Sequence, residues 1–336
     1  MSSDTSTASP SAEIGPHLEP AEVVAMLSTS TADLSSRIRR VEKVWKNAAN
    51  RIEGRFFYPA FRNGKPSVAE LVEIAHLRMV NFAIPRARIA EVTREIVANP
   101  QRADLWVQLA TEARDLFIKT KEKTAGRSGE LGELLLYMLL EWVLAAPIVA
   151  SKMYLKTSLD MPVHGTDGIH IGHSSGKLVL YWGESKLHAK RSSALASICE
   201  SVADFVKSAE KRTNEVRIIQ SNLRDELLRP DQLEAFRNYF NPYKEESNKV
   251  VDCHACLAGF DSQLYAKVAE DPVLDSREER LRALIEADVE ALGLEIEEKA
   301  KAAGLQDVRF AYFILPFPSI EEARKAFQVR LWGRDP

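Results

Sequence analysis

The stretch that decides the fold is VHGTDGIHIGHSSGKLVLYWGESKLHAK, residues 163–190. Its runs DGIHI and KLVLYWGESKL flank the turn residues His173 to Gly176, which predicts two consecutive strands joined by a tight hairpin turn. Because side chains alternate along a strand, Glu184 and Lys186 share one face, and Asp167 is placed to lie beside Glu184 across the hairpin. Two carboxylates and one ammonium group would then converge.

This convergence predicts a metal-assisted hydrolytic site. Two adjacent carboxylates repel each other and need a positive partner to remain ionised together. Mg²⁺ is such a partner, since it binds one or two carboxylates and completes its shell with water and substrate phosphate oxygens. We expect Asp167 and Glu184 to hold Mg²⁺, or Mn²⁺, with the backbone carbonyl of Ser185, and Lys186 to orient the attacking water. The chemistry that this arrangement favours is phosphodiester hydrolysis.

The sequence on either side of the hairpin predicts an α/β fold. Helical periodicity runs from Pro20 to about Val143, in segments that begin AEVVAML, SVAELVEIAHL and RADLWVQLA. Downstream, a strand at MYLK opens the sheet at Met153, a helix follows Ser193, and late strands at KVVDCHACLAGF and VRFAYFILP alternate with helices from Arg277 and Ser319. We expect those late strands to extend the sheet.

Asp167 followed by Glu184-Ser185-Lys186 at the end of a strand resembles the core of the PD-(D/E)xK nuclease superfamily. The resemblance implies a restriction-endonuclease-like core, with a mixed central sheet flanked by helices. It also implies an acidic residue on the preceding helix, where RSGELGELLLYMLLE offers Glu133, favoured by its spacing from Gly129, and Glu130. The alternative for both glutamates is a favourable interaction with the helix dipole. The chain departs from the superfamily pattern at Thr166, which stands in place of proline.

A closer resemblance covers most of the chain. The helical first half, the RSGELGELLLYMLLE helix, the VHGTDGIHI and YWGESK strands and the late ILPFPS strand resemble the HamA family of Hachiman anti-phage defence systems. The resemblance implies a DNA-degrading effector with little sequence specificity, held in check and activated by a partner superfamily 2 helicase, HamB. Composition predicts residues 1–19 as a disordered tail and periodicity predicts 20–125 as a helical N-terminal region, which leaves 126–336 for the nuclease-like domain that the superfamily resemblance implies.

Composition limits the other possibilities. The chain has 336 residues, is 45% hydrophobic and carries 45 Lys and Arg against 48 Asp and Glu, so any attraction to nucleic acid must come from a local patch. Three cysteines cannot build a disulfide framework, the N-terminus lacks a signal-peptide pattern, and no stretch is a clean membrane span, which together predict a cytoplasmic protein. A Gly-rich phosphate loop, HExxH and GxSxG are all absent from the sequence.

Basic residues near the hairpin are candidates for phosphate contacts, although an ordinary solvated face explains them equally well. These candidates are Lys177, Lys190, Arg191, Lys211 and Arg212. His164, His170 and His173 fit no standard tetrahedral ligand set, and Cys253 and Cys256 lack a second pair, so we interpret them as structural. Two alternatives remain open: a non-catalytic subunit that binds DNA or the helicase, and an RNase, because no contact to a 2′-hydroxyl can be assigned.

Overall fold

The protein is described by a computed structural model. The structure describes residues 18–28, 34–123, 129–151, 153, 166–222 and 229–333. Most of the expected tail, residues 1–17, therefore lies outside the described residues, as do His164 and the MYLK stretch apart from Met153.

The helices occur along the whole chain and are numbered here in chain order. They are α1 Pro20–Leu27, α2 Val68–Leu77, α3 Met79–Ala83, α4 Arg86–Ala98, α5 Asp104–Lys123, α6 Glu130–Leu144, α7 Arg191–Lys207, α8 Ala209–Asn222, α9 Pro230–Asn238, α10 Leu264–Ala269, α11 Arg277–Ala302 and α12 Ile320–Trp332. Short 3₁₀ turns lie at Pro100–Arg102, Glu245–Lys249 and Leu274–Ser276.

The strands form one mixed sheet and a small separate hairpin. They are β1 Ile38–Arg40, β2 Trp45–Lys46, β3 Ile52–Pro59, β4 Phe61–Arg62, β5 Lys65–Pro66, β6 Ile148–Ser151, β7 Gly168–Ser174, β8 Lys177–His188, β9 Val250–Asp261 and β10 Phe310–Phe317. The sheet order is β1-β3-β10-β9-β8-β7-β6, with β2 beside β3. Strands β3, β10, β9 and β8 run parallel, whereas β7 and β6 are antiparallel additions at one side.

Helices cover both faces of this sheet, because its central strands are apolar on both sides. Leu257 of β9 and Phe313 of β10 pack on the face that carries α6 and α12. Cys256 and Tyr312, which point the other way, pack against α7 and α11. The expected α/β fold with a mixed sheet flanked by helices is confirmed.

The prediction of a helix across residues 21–52 was wrong. Helix α1 ends at Leu27, and the segments Ile38–Arg40, Trp45–Lys46 and Ile52–Pro59 are strands. Asn47 closes a turn by accepting hydrogen bonds from the amides of Arg51 and Ile52, and β3 then pairs with β10. Long-range pairing overrides the apparent helical spacing, so the residues expected to form a separate helical region supply strands to the central sheet.

Candidate active site

The hairpin of β7 and β8 sets the position of the two proposed carboxylates. Its turn places Ser175 at φ 50° and Gly176 at φ 71°, the pair of left-handed conformations that closes a two-residue hairpin with the natural strand twist. In this register Ile169 lies opposite Trp182, and beyond that pair Asp167 comes beside Gly183 and close enough to Glu184 for the two carboxylates to interact. The amide of Asp167 donates to the carbonyl of Gly183 over 2.8 Å, so the predicted juxtaposition is present.

The carboxylate of Asp167 is oriented by Ser185. Its Oδ2 accepts hydrogen bonds from the backbone N–H of Ser185 at 2.7 Å and from the Ser185 hydroxyl at 2.8 Å. Helix α6 packs directly behind this serine, since a Cβ at Gly132 would lie 3.0 Å from Ser185 Oγ. The glycine therefore allows the close approach that holds the Ser185 side chain against Asp167.

Glu184 and Lys186 form a short ion pair on the neighbouring strand. Lys186 Nζ lies 2.6 Å from Glu184 Oε1, and Glu184 is only 8% exposed. Burial, together with the charge of Asp167, raises the pKa of Glu184 to about 7, although the contacts with Lys186 and Ser201 oppose the rise. The site therefore holds more negative charge than its single ammonium group balances.

Burial and nearby charges shift the pKa of Lys186 in opposite directions. Burial acts to lower the pKa of its ammonium group, but the Glu184 carboxylate outweighs burial, with further contributions from Asp167 and Glu133, and raises that pKa. Lys186 thus remains a cation at neutral pH, positioned between carboxylates. A fixed cation at this point can stabilise negative charge that develops on a phosphate group.

The two glutamates at the start of α6 lie in different surroundings. Glu133 is half-buried and close enough to Lys186 to influence its pKa. Glu130 is buried, and neither glutamate lines the cleft that Glu184 faces. Glu133 therefore interacts with Asp167, Glu184 and Lys186 through its effect on the charge of Lys186 and not by lining the cleft.

Asp167, Glu184 and Lys186 open onto one cleft of about 250 Å³. Helices α7 and α8 form its other wall, and β9 forms part of its floor. Its lining residues are Thr166, Asp167, Glu184, Lys186, Ser201, Val202, Asp204, Phe205, Lys211 and His254.

Several of these residues escaped the sequence interpretation. Ser201 hydrogen-bonds the Glu184 carboxylate from α7, and Asp204 follows on the same helix face, a spacing that the sequence does contain. His254 lies beside Trp182 in the parallel pairing of β9 with β8. That register is set by packing between distant segments, so no local signal could have located His254.

The structure separates the basic residues proposed as phosphate contacts. Lys211 lines the cleft and pairs with Asp204, Arg212 binds Asp252 at 2.9 Å, and Lys190 is exposed just before α7. Arg191 instead pairs with Asp288 and Glu295 of α11. Lys177 lies at the hairpin turn, about 30 Å along the strand from Lys186 at about 3.3 Å per residue. Lys211 is thus the candidate that reaches the proposed site directly.

Of the histidines and cysteines that the sequence indicates to be structural, those that the structure describes lie on strands outside the lining of the cleft. His170 is buried and its Nδ1 lies 2.8 Å from the carbonyl of Ala146, while His173 is exposed at the hairpin end. Cys253 and Cys256 are buried free thiols, and burial raises the pKa of each. These placements confirm the interpretation of both cysteines as buried strand residues.

The chemistry of the donor set fits a hard divalent cation. Asp167 and Glu184 present oxygen donors to one cleft, and burial, with the charge of Asp167 as a further cause, raises the pKa of Glu184, a rise that a bound cation would oppose. Within the described ranges, no three His, Cys, Asp or Glu side chains are grouped closely enough to hold a metal. Two carboxylates with ligands from substrate and solvent are the usual protein contribution to Mg²⁺ binding.

Comparison with known protein families identifies a match over most of the chain. The sequence model of the HamA family matches residues 37–331, which span the sheet, the cleft and α6. No curated protein matches the chain significantly. Among the helices of the described residues, none combines the length and apolar character needed to cross a membrane.

Proposed function

Because the chain belongs to the HamA family and is thus a component of Hachiman defence, we propose that it is the DNA-cleaving effector of that system. The observation that carries the proposal is that Asp167 and Glu184 line one open cleft and interact with each other, with Lys186 Nζ 2.6 Å from Glu184. A cluster of this composition suits phosphodiester hydrolysis. The resemblance to PD-(D/E)xK nucleases supports the same reaction.

Asp167 and Glu184 would hold Mg²⁺, with Ser185 contributing its carbonyl oxygen and Glu133 assisting from α6; Glu130 is the alternative helix residue. Bound there, the metal would polarise the scissile phosphate and lower the pKa of a bound water. Ser185 fixes the Asp167 carboxylate through two hydrogen bonds, which limits its rotation. Ser201 does the same for Glu184, so both carboxylates are oriented before substrate arrives.

Lys186 would place its ammonium group beside the attacking water and the phosphate oxygens. Its raised pKa keeps it protonated, so its role is to orient the water and to stabilise negative charge rather than to accept a proton. Lys211, Lys190 and Arg212 would contact backbone phosphates, which position a strand without reading its sequence. Activation by a HamB-type helicase follows from the family resemblance and forms part of the proposal.

The test is metal-dependent cleavage of supercoiled plasmid by the purified protein, alone and with the HamB helicase. We expect nicking or degradation in Mg²⁺ or Mn²⁺ that EDTA abolishes, and a labelled RNA of equal length included in the same reactions should survive. Cleavage that persists in EDTA would contradict the metal site. Preferential degradation of the RNA would indicate that the protein is an RNase and not a DNase. Degradation of neither nucleic acid would favour a non-catalytic binding subunit.

A further inference from the structure

Helix α8 carries a buried carboxylate on its sheet-facing side. The side chains of Glu215 and Ile219 are the buried ones on this helix between positions 209 and 220, and they lie four residues apart on one face. Glu215 is 2% exposed. An apolar residue at a buried position is commonly as stable as a charged one, so a glutamate here requires a reason other than packing.

The partner of Glu215 provides that reason. Its Oε1 accepts a hydrogen bond from the backbone N–H of Thr166 over 3.4 Å, in the buried interior. Thr166 immediately precedes Asp167 and lines the cleft. Proline, which the superfamily pattern has at this position, carries no N–H. The departure from the pattern at Thr166 therefore supplies the donor that Glu215 binds.

Two other polar contacts join α8 to α7 and to β9, which also border the cleft. Lys211 pairs with Asp204 of α7. Arg212 binds Asp252, which also accepts a hydrogen bond from Trp182 Nε1 at 3.0 Å. Glu215 extends this set to the residue at which the chain enters β7. Helix α8 is thus bound directly to α7, to β9 and to the residue that precedes Asp167.

We propose that Glu215 is a positioning residue, which holds the Thr166 backbone from α8 and thereby fixes Asp167 opposite Glu184. Through this bond, movement of α8 would displace Asp167 from Ser185 and Glu184. The positional role stands on the contacts alone, and its consequence for metal binding and cleavage rests on the proposed function.

The experiment compares Glu215→Leu with Glu215→Gln, whose amide oxygen still accepts the Thr166 hydrogen bond. Amide hydrogen exchange of metal-free full-length protein reports the position of Asp167, because the Ser185 N–H is bound to its carboxylate. We expect exchange at residues 166–168 and Ser185 to become about tenfold faster in Glu215→Leu, with near wild-type exchange in Glu215→Gln. The thermal midpoint of Glu215→Leu should not exceed that of wild type, because the buried Thr166 N–H loses its acceptor.

Calorimetric titration with Mg²⁺ and with Mn²⁺ gives the second readout. We expect about tenfold weaker metal binding in Glu215→Leu and recovery in Glu215→Gln. Glu141→Leu is the matched control, since Glu141 is equally a buried helical carboxylate but lies outside the cleft, and it should leave metal affinity unchanged.

Unchanged exchange at residues 166–168 and Ser185 in Glu215→Leu would overturn the inference, whatever the nuclease assay shows. Faster exchange in Glu215→Leu, together with a wild-type protein that cleaves no DNA, would support the positioning role and reject the proposed function. Thr166→Pro removes the same hydrogen bond from the other side. Its effect on Ser185 exchange should therefore not add to that of Glu215→Leu, and additive effects would also count against the inference.

Discussion

Two buried carboxylates in this chain, Glu184 and Glu141, have opposite surroundings. Burial is the main cause that raises the pKa of each. At Glu141, a hydrogen bond from Tyr137 and the charges of Arg86 and Arg78 oppose that rise, and Arg86 Nη2 lies 3.6 Å away. At Glu184, the second carboxylate of Asp167 adds to the rise.

The difference distinguishes a structural ion pair from a binding site. Around Glu141, cations offset the carboxylate, and Arg86 also donates to the carbonyl of Leu27, so the cluster joins α1, α4 and α6. Around Glu184, the negative charge exceeds the positive charge and faces an open cleft. A buried acidic excess with access to solvent is a place for a cation, whereas a balanced pair with backbone partners stabilises packing.

The largest effect should come from removing the acid-rich cluster. We expect Glu184→Ala combined with Lys186→Ala to lower the rate of plasmid cleavage in Mg²⁺ about a thousandfold or more, because it removes a metal ligand and the cation beside the water. Circular dichroism and thermal melting should show a folded protein. Glu141→Gln is the matched control and should cleave at the wild-type rate. Wild-type cleavage by the double variant would show that these residues are not the catalytic ones.

The second prediction removes the balanced pair. Glu141→Ala leaves the Arg86 guanidinium buried without its carboxylate, and we expect a loss of about 3 kcal/mol in the free energy of unfolding. Urea denaturation measures this loss. Replacing both partners, as Arg86→Met with Glu141→Leu, should recover most of it. If Glu141→Ala were as stable as wild type, the interpretation of Glu141 and Arg86 as a stabilising ion pair would be wrong.

The third prediction concerns His170, whose ring lies against Tyr137. Burial is the main cause that lowers the pKa of His170 to about 4 from 6.5, with the hydrogen bond to Ala146 opposing it and the charge of Arg86 adding to it. Between those pH values the unfolded chain binds a proton that the folded chain does not. Stability should therefore fall as the pH decreases from about 6.5 to about 4, by up to about 3 kcal/mol from this group.

His170→Asn tests this dependence, because its amide can still donate to the Ala146 carbonyl. Unfolding free energies measured from pH 7 to pH 4 should decline less steeply in the variant than in wild type. Identical slopes would mean that the pKa of His170 is the same in the folded and the unfolded chain.

The smallest effect should come from exposed cations. We expect Lys211→Ala to weaken DNA binding about fivefold at low salt and to reduce the dependence of affinity on salt by about one counterion. Lys177→Ala, at the distant hairpin turn, should change both less. Fluorescence anisotropy with a labelled duplex, in Ca²⁺ to prevent cleavage, measures both quantities. Equal losses of DNA affinity in the two variants would show that Lys211 does not contact DNA through its position in the cleft.

Much of the candidate site could be predicted because it is local. A two-residue turn fixes the register of the strands around it, so the turn at Ser175-Gly176 brings Asp167 to Glu184 within one hairpin. The helices and strands after Arg191 were likewise evident from their periodicity, as were the helices between Val68 and Lys123.

Other features depended on contacts between distant segments. The sequence from Ile38 to Ile52 has helix-like spacing, yet β1 and β2 are strands that pair with β3, which in turn pairs with β10. Arg191 is a candidate phosphate contact just after β8, and Asp288 and Glu295 of α11 bind it. Neither outcome follows from residues nearby in the chain.

The sequence by itself therefore determined the carboxylate and lysine pair, the hairpin that joins them and the α/β class, since short-range turn chemistry and side-chain alternation dictate each. Only the tertiary structure decided that Ser201 and His254 reach the cleft and that Glu215 binds the amide of Thr166 beside it. It also decided which charges are neutralised and which remain in excess. The physical reason is that parallel pairing and helix packing join segments far apart in sequence, and the burial that shifts a pKa exists only after they meet.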